Sequence, residues 1–248
     1  VTGNPGKMLS AILIGNNIVN LSASSISTSL AIHLFGNTGA GIATGILTLL
    51  ILIFGYFFWL MLRLTLEYIP AQSDVSFLMI KQTEVSTHSE YLYFFYAHVY
   101  SSIFVLLSGF LSVFIQPKSS LRNLHQISGK IYVFTLLLIA APSGIYMGFY
   151  ANGGILAKIS FVILGILWWF TTYKAYLEIR KKNVLNHKKW MYRSYALAVS
   201  AITLRLWKVV LVYFFQPNPI DVYEVIAWLG WVPNLILIEI LIKTKIIK

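Results

Sequence analysis

Five ionisable side chains stand inside or at the mouths of long apolar runs in this sequence: His98, His125, His187, Arg205 and Glu239. A charge or an imidazole in hydrocarbon is costly unless it is paired, hydrogen-bonded or used, so each is a candidate for chemistry. Neutral imidazoles facing one another across helices can ligate a b-type haem, whose propionates want Arg or Lys and whose ring wants aromatic walls. Two of the histidines have such groups close by: Lys130 and Tyr132 follow His125, and Trp190 and Arg193 follow His187. The same two imidazoles also suit a transition metal. The sequence has no cysteine, which excludes disulfides, thiolate nucleophiles and iron–sulfur clusters, and a zinc site would have to use His and carboxylates.

Helices must position these groups, and the spacings agree with helices. His98 and Ser102 are four apart and share a face; Gly129 and Tyr132 follow His125 at four and seven. From His187 one face runs through Met191, Ser194, Ala198 and Ala201 to Arg205, because ~18 residues complete five turns. Arg205 is therefore expected ~27 Å from His187, near the level of His98, while Glu239 returns to the level of His187 and Arg193. Two polar layers in one bundle result, and an outer-shell carboxylate such as Glu239 can orient a liganding imidazole. The competing reading has His125 and His187 capping helices, His98 bonding Ser102 or a tyrosine, and Arg205 snorkelling to a surface.

Composition says what surrounds these helices. Of 248 residues, 58% are hydrophobic, 15% aromatic and 11% charged, against roughly 25% charged in a soluble domain. Apolar runs lie near residues 8–34, 41–66, 91–115, 128–150, 154–178, 190–214 and 223–242, and ~20 such residues as a helix cross the ~30 Å hydrocarbon layer. The expected fold is all-α, a polytopic transmembrane bundle of about six or seven spans.

The formal charge of +11 does not indicate a nucleic-acid partner, because the basic residues sit in short connections and not along one face. Lys118, Arg122 and Lys130 occupy one connection, Arg180, Lys181, Lys182, Lys188, Lys189 and Arg193 another, and Lys243, Lys245 and Lys248 the tail. The positive-inside rule makes these cytoplasmic and the acidic stretch 70–90 external. A multi-pass protein of the bacterial inner membrane with a cytoplasmic C-terminus is expected, inserted through its spans without a cleaved leader.

Several segments after residue 56 resemble a bacterial family of predicted membrane proteins whose domain has no assigned function. They include His125-Gln-Ile-Ser-Gly-Lys-Ile-Tyr132, Trp168-Trp-Phe-Thr-Thr-Tyr-Lys-Ala175, His187-Lys-Lys-Trp-Met-Tyr-Arg-Ser194 and Ala227-Trp-Leu-Gly-Trp-Val-Pro-Asn234. That likeness implies a topology and a histidine pattern but no reaction. Before it, Gly15-Asn-Asn-Ile-Val-Asn20 and residues 41–55 are similar to part of the CNNM/CorC membrane domain of magnesium exporters. In that family an acid follows the second run and helps hold the cation; here Tyr56 follows Gly55. The resemblances divide the chain at 1–55 and 56–248, with Asn16, Asn17 and Asn20 read as interhelical glue.

The first functional expectation is a histidine-based cofactor site, haem b or a transition metal, for electron transfer or cofactor handling with a redox partner. A transporter or ion-handling protein whose polar layers line a path is the second, and an accessory subunit of a membrane complex the third. No Ser-His-Asp arrangement or phosphate-cradling glycine loop supports a hydrolase or nucleotide enzyme.

Overall fold

The computed structural model describes residues 39–114, 121–216 and 218–244. The apolar run at 8–34 and the asparagines at 16, 17 and 20 lie outside the described residues. Two compact units divide the chain, Val1–Tyr56 and Phe57–Lys248, and the first is described only from residue 39 onward.

The described elements are helical. They are α1 (Gly39–Leu66), a 3-10 turn (Ser76–Lys81), α2 (Gln82–Thr87), α3 (Tyr91–Phe114), α4 (Arg122–Thr135), a π-helical segment (Leu136–Ala140) and α5 (Ala141–Phe149). After these come α6 (Gly154–Arg180), α7 (Val184–Ala198), α8 (Ser200–Phe215), α9 (Pro219–Leu229) and α10 (Val232–Lys243). Tyr91–Val113, Arg122–Phe149, Gly154–Arg180 and Asp221–Lys243 are each long and apolar enough to cross a membrane, and the pair α7–α8, bent by 41°, is a fifth if counted as one span. The 28 residues of α1 provide the length of one more crossing. Outward faces carry large apolar side chains in the open, such as Leu138 at 72% and Phe214 at 70% exposure, as lipid contact requires.

Broken helices leave backbone carbonyls without partners, and in hydrocarbon those must be met by other helices. The α7–α8 break at Val199 and the α9–α10 break at Gly230 meet that need in each other. Thr203 donates to the Gly230 carbonyl, and Asn234 Nδ2 reaches Gly230 O (3.1 Å), Ala196 O (3.2 Å) and Thr203 Oγ1 (2.9 Å). Pro233 sits in the first turn of α10, where its missing N–H costs nothing. The π segment ahead of Pro142 behaves alike: Trp169 Nε1 donates to Leu137 O at 3.1 Å, and His98 Nδ1 meets Ala140 O at 2.9 Å.

One end of the bundle is capped. Tyr68, Leu78, Tyr91 and Phe95 form a buried cluster, tied by Tyr100 to the Tyr68 carbonyl (2.6 Å) and by Tyr96 to Gln72 O (2.6 Å). Lys81 is only 2% exposed, held by Glu84 and the Tyr150 carbonyl.

Candidate functional site

His125 and His187 occupy equivalent places at the opposite, basic end. Each lies in the first turn of its helix, its amide bonded to the residue four before it: His125 N to Leu121 O (3.0 Å) and His187 N to Asn183 O (2.9 Å). Seven residues on from each stand Tyr132 and Ser194, whose oxygens are 2.7 Å apart. Helices α4 and α7 therefore run parallel and in register, which sets the two histidines at one level, within electrostatic reach of each other.

The His187 ring is fixed by Ala175 O, 2.8 Å from Nδ1. A carbonyl can only accept, so Nδ1 carries the proton and Nε2 of the neutral ring keeps its lone pair. His98, on α3, is set the same way on Ala140 O, pressed so close to α5 that a Cβ on Gly144 would lie 2.8 Å from its Cε1. That orientation is the one a metal-binding imidazole uses.

The groups around the basic-end histidines are turned to one another. Arg193 forms a two-bond ion pair with Glu239, Nη2 to Oε2 at 2.9 Å, and its guanidinium lies 4.6 Å from the centroid of Trp190. Glu239 thus meets an arginine and not an imidazole. Lys130 is exposed on the outer side of α4. Among the described residues no three His, Cys, Asp or Glu side chains cluster as metal ligands would.

A hydroxyl cluster that pattern reading had not assembled lies deeper in the bundle. Tyr132, Ser194 and Thr172 are all fully buried. Ser194 Oγ is 2.7 Å from the Tyr132 hydroxyl and 2.6 Å from Thr172 Oγ1, and Thr172 donates to Trp168 O at 2.8 Å. With the Thr172 proton on a carbonyl, Ser194 donates to Thr172 and Tyr132 to Ser194. The reverse order needs only hydroxyl rotation.

The Trp168 indole N–H approaches Tyr132 without hydrogen-bond geometry, and with the Tyr195 hydroxyl and Ser102 Oγ it is buried and meets no partner among the described residues. Helix α3 makes room for this cluster through Gly109, where a Cβ would fall 2.7 Å from the rings of Tyr132 and Tyr195. Along α3, Ser102, Gly109 and Ser112 fall within about 40° of His98 on one stripe at 3.6 residues per turn. Ser112 donates to Ser128 (3.0 Å), which turns to the carbonyl of His125 (3.2 Å). A polar column thus extends from the His125 level to the His98 level, interrupted on the stripe by fully buried Val105. Arg205 lies within electrostatic reach of His98, as its spacing from His187 predicts.

The family model described as "Predicted membrane protein (DUF2306)" matches residues 95–242, and the model of the cyclin M transmembrane N-terminal domain matches residues 1–58. A UPF0053 protein of Haemophilus influenzae is 35% identical over 99 residues, 40% of this chain and 18% of that protein. The UPF0053 inner membrane protein YfjD of Escherichia coli is 46% identical over 50 residues, 20% of this chain and 12% of that protein. The chain spans less than a fifth of the length of either relative. No solved structure matches it.

Proposed function

We propose, for a chain that belongs to the predicted membrane protein family DUF2306, an ion-handling role in which the polar column passes protons or small cations between the ends of the bundle. The observation that carries this reading is the trio of interior polar atoms, Ser102 Oγ, Trp168 Nε1 and the Tyr195 hydroxyl, that no described protein group satisfies. An unmet polar atom in an interior costs ~1–3 kcal/mol, a cost that water or a passing ion would relieve. The Tyr132–Ser194–Thr172 hydroxyls, reversible by rotation, suit proton relay. Val105 supplies the apolar constriction that keeps such a path from leaking.

The likeness of residues 1–58 to the cyclin M transmembrane domain points to the same class. Tyr56, where the resembled exporters carry an acid, removes one ligand for a divalent cation. A place in the bacterial inner membrane with the C-terminal tail cytoplasmic belongs to the same proposal. It is supported by the basic connections and by the inner-membrane relative.

Liposomes holding the purified full chain and an internal pH dye test it. They should dissipate an imposed proton gradient faster than protein-free liposomes, with Tyr195→Phe and Ser194→Ala slowing the rate several-fold. A wild-type rate no higher than that of empty vesicles, under both proton and alkali-cation gradients, refutes the role.

A second reading, ligation of haem b or a transition metal by His125 and His187, rests on the His187 ring orientation, which leaves Nε2 for a ligand. Lys130, exposed on the outer side of α4, would have to swing round to meet a propionate. Arg193, Trp190 and Tyr132 would have to leave their present partners to join it. A visible spectrum and metal analysis of the purified protein decide this reading, since bound haem gives a Soret band that His187→Ala removes.

A further inference from the structure

Between the last turns of α1 and the middle of α8 lies a cavity of about 420 Å³ lined by Arg63, Arg205 and Lys208 and walled by Phe57, Leu60 and Val209. All six residues belong to the unit Phe57–Lys248. The lining has one carboxylate, Glu67, which already accepts a hydrogen bond from Ser76 at 2.8 Å. Three cations thus face one acid.

The cations rest on weaker partners. Arg205 donates to the Ala201 carbonyl, Arg63 stands 5.9 Å from the Trp59 ring centroid, and Lys208 stands 5.2 Å from that of Tyr223. The ion pairs of the described residues are made elsewhere, by Lys81 with Glu84 and Arg193 with Glu239. An arginine inside a span without a counter-charge is expensive, and basic pockets between spans recruit anions.

The shape and depth of the cavity select the anion. Val209 is 58% exposed and Leu64, also in the lining, is exposed, so the groove opens sideways where lipid chains run. Arg63 sits in the last turn of α1, and Tyr68, from the buried cluster of the capped end, lies within electrostatic reach of Arg205. The charges therefore gather toward the headgroup level of that end, above an apolar wall. A free anion would use the charges but not the wall.

We infer that this cavity binds an anionic phospholipid, its phosphate among Arg63, Arg205 and Lys208 and an acyl chain along Phe57, Leu60 and Val209. The inference is independent of the ion-handling role, because none of these residues belongs to the polar column.

Native mass spectrometry of the full chain, released from nanodiscs of phosphatidylcholine mixed with phosphatidylglycerol, tests it. Wild type should retain phosphatidylglycerol in preference to phosphatidylcholine. Arg63→Gln and Lys208→Gln, both at exposed positions, should each weaken retention ~5-fold, and Arg205→Lys should preserve it. Equal retention of the two lipids overturns the proposal, as does a double variant of Arg63 and Lys208 that retains phosphatidylglycerol like wild type. Displacement of the lipid by millimolar inorganic phosphate would make this a small-anion site and overturn the lipid assignment.

Discussion

Replacing Ser194 with alanine removes one oxygen from the sealed middle of the bundle, and the cost can be worked from its neighbours. Two hydrogen bonds go, at 2.7 Å to Tyr132 and 2.6 Å to Thr172. Interhelical bonds in membrane proteins average ~0.6 kcal/mol and reach ~1.7, so the pair accounts for about 1–3 kcal/mol. Thr172 keeps its bond to the Trp168 carbonyl. Tyr132, fully buried, is left with an unmet hydroxyl at ~1–3 kcal/mol. Partial relaxation brings the expected total to about 2–4 kcal/mol. Unfolding in mixed detergent micelles, followed by tryptophan fluorescence, measures it. In a Tyr132→Phe background the orphaned hydroxyl no longer exists, and the same change should cost only ~1 kcal/mol. A single-variant loss below ~0.5 kcal/mol, or single and double effects that add within ~0.3 kcal/mol, would refute the reasoning.

The cap offers a pH-dependent counterpart. Burial alone would raise the Glu84 carboxyl, but the hydrogen bond and charge of Lys81 outweigh it and hold the group below its ordinary value of 4.5. A carboxylate depressed by folding adds stability above its unfolded pKa and loses it as pH falls through the folded one. Glu84→Gln should therefore cost ~2–3 kcal/mol near neutral pH, low for a buried pair because Glu84 is 23% exposed. The difference from wild type should shrink below about pH 4, and a difference constant across pH would show that Lys81 is held by the Tyr150 carbonyl alone. For orientation, cysteines replacing Ser76 and Thr244 should react with an impermeant reagent in intact cells only at Ser76; labelling of Thr244 alone reverses the proposed topology.

The spans were legible because apolar runs of span length end in unmistakable polar residues. The runs read at 41–66, 91–115 and 154–178 are the helices Gly39–Leu66, Tyr91–Phe114 and Gly154–Arg180. Helix starts were harder to read. The runs at 128 and 190 begin instead at Arg122 and Val184, since basic and polar residues continue a helix into the headgroup region once later turns are packed. The breaks at Val199 and Gly230 are hard to place from hydropathy for a different reason. Hydropathy is continuous across both, so only Pro233, read as a kink or a span end, signals the second. The breaks persist because Thr203 and Asn234 reach the Gly230 and Ala196 carbonyls from another helix.

The candidate site was legible along single helices and illegible between them. Tyr132 and Ser194 stand on stripes read from the sequence, each seven residues after a histidine. Periodicity places residues on a face but does not say which faces meet. Thr172 gave no such signal, since its partners lie on other helices or in its own backbone. Glu239 shows the same limit: its level was readable, but whether it would meet His187 or Arg193 depended on where α10 packs against α7. Once Arg193 holds it, the basic end contains a closed ion pair, and the His187 ring is fixed on the Ala175 carbonyl instead. Among the described residues the buried side-chain polar atoms left without a hydrogen bond are hydroxyls and an indole, groups that carry no charge. Along the column the polar groups are neutral, while the ion pairs lie outside it, Lys81 with Glu84 in the cap and Arg193 with Glu239 at the basic end. Arg205 is the charge that comes within electrostatic reach of His98. Neutral, rotatable hydroxyls are the part of this arrangement that can pass a proton without holding it.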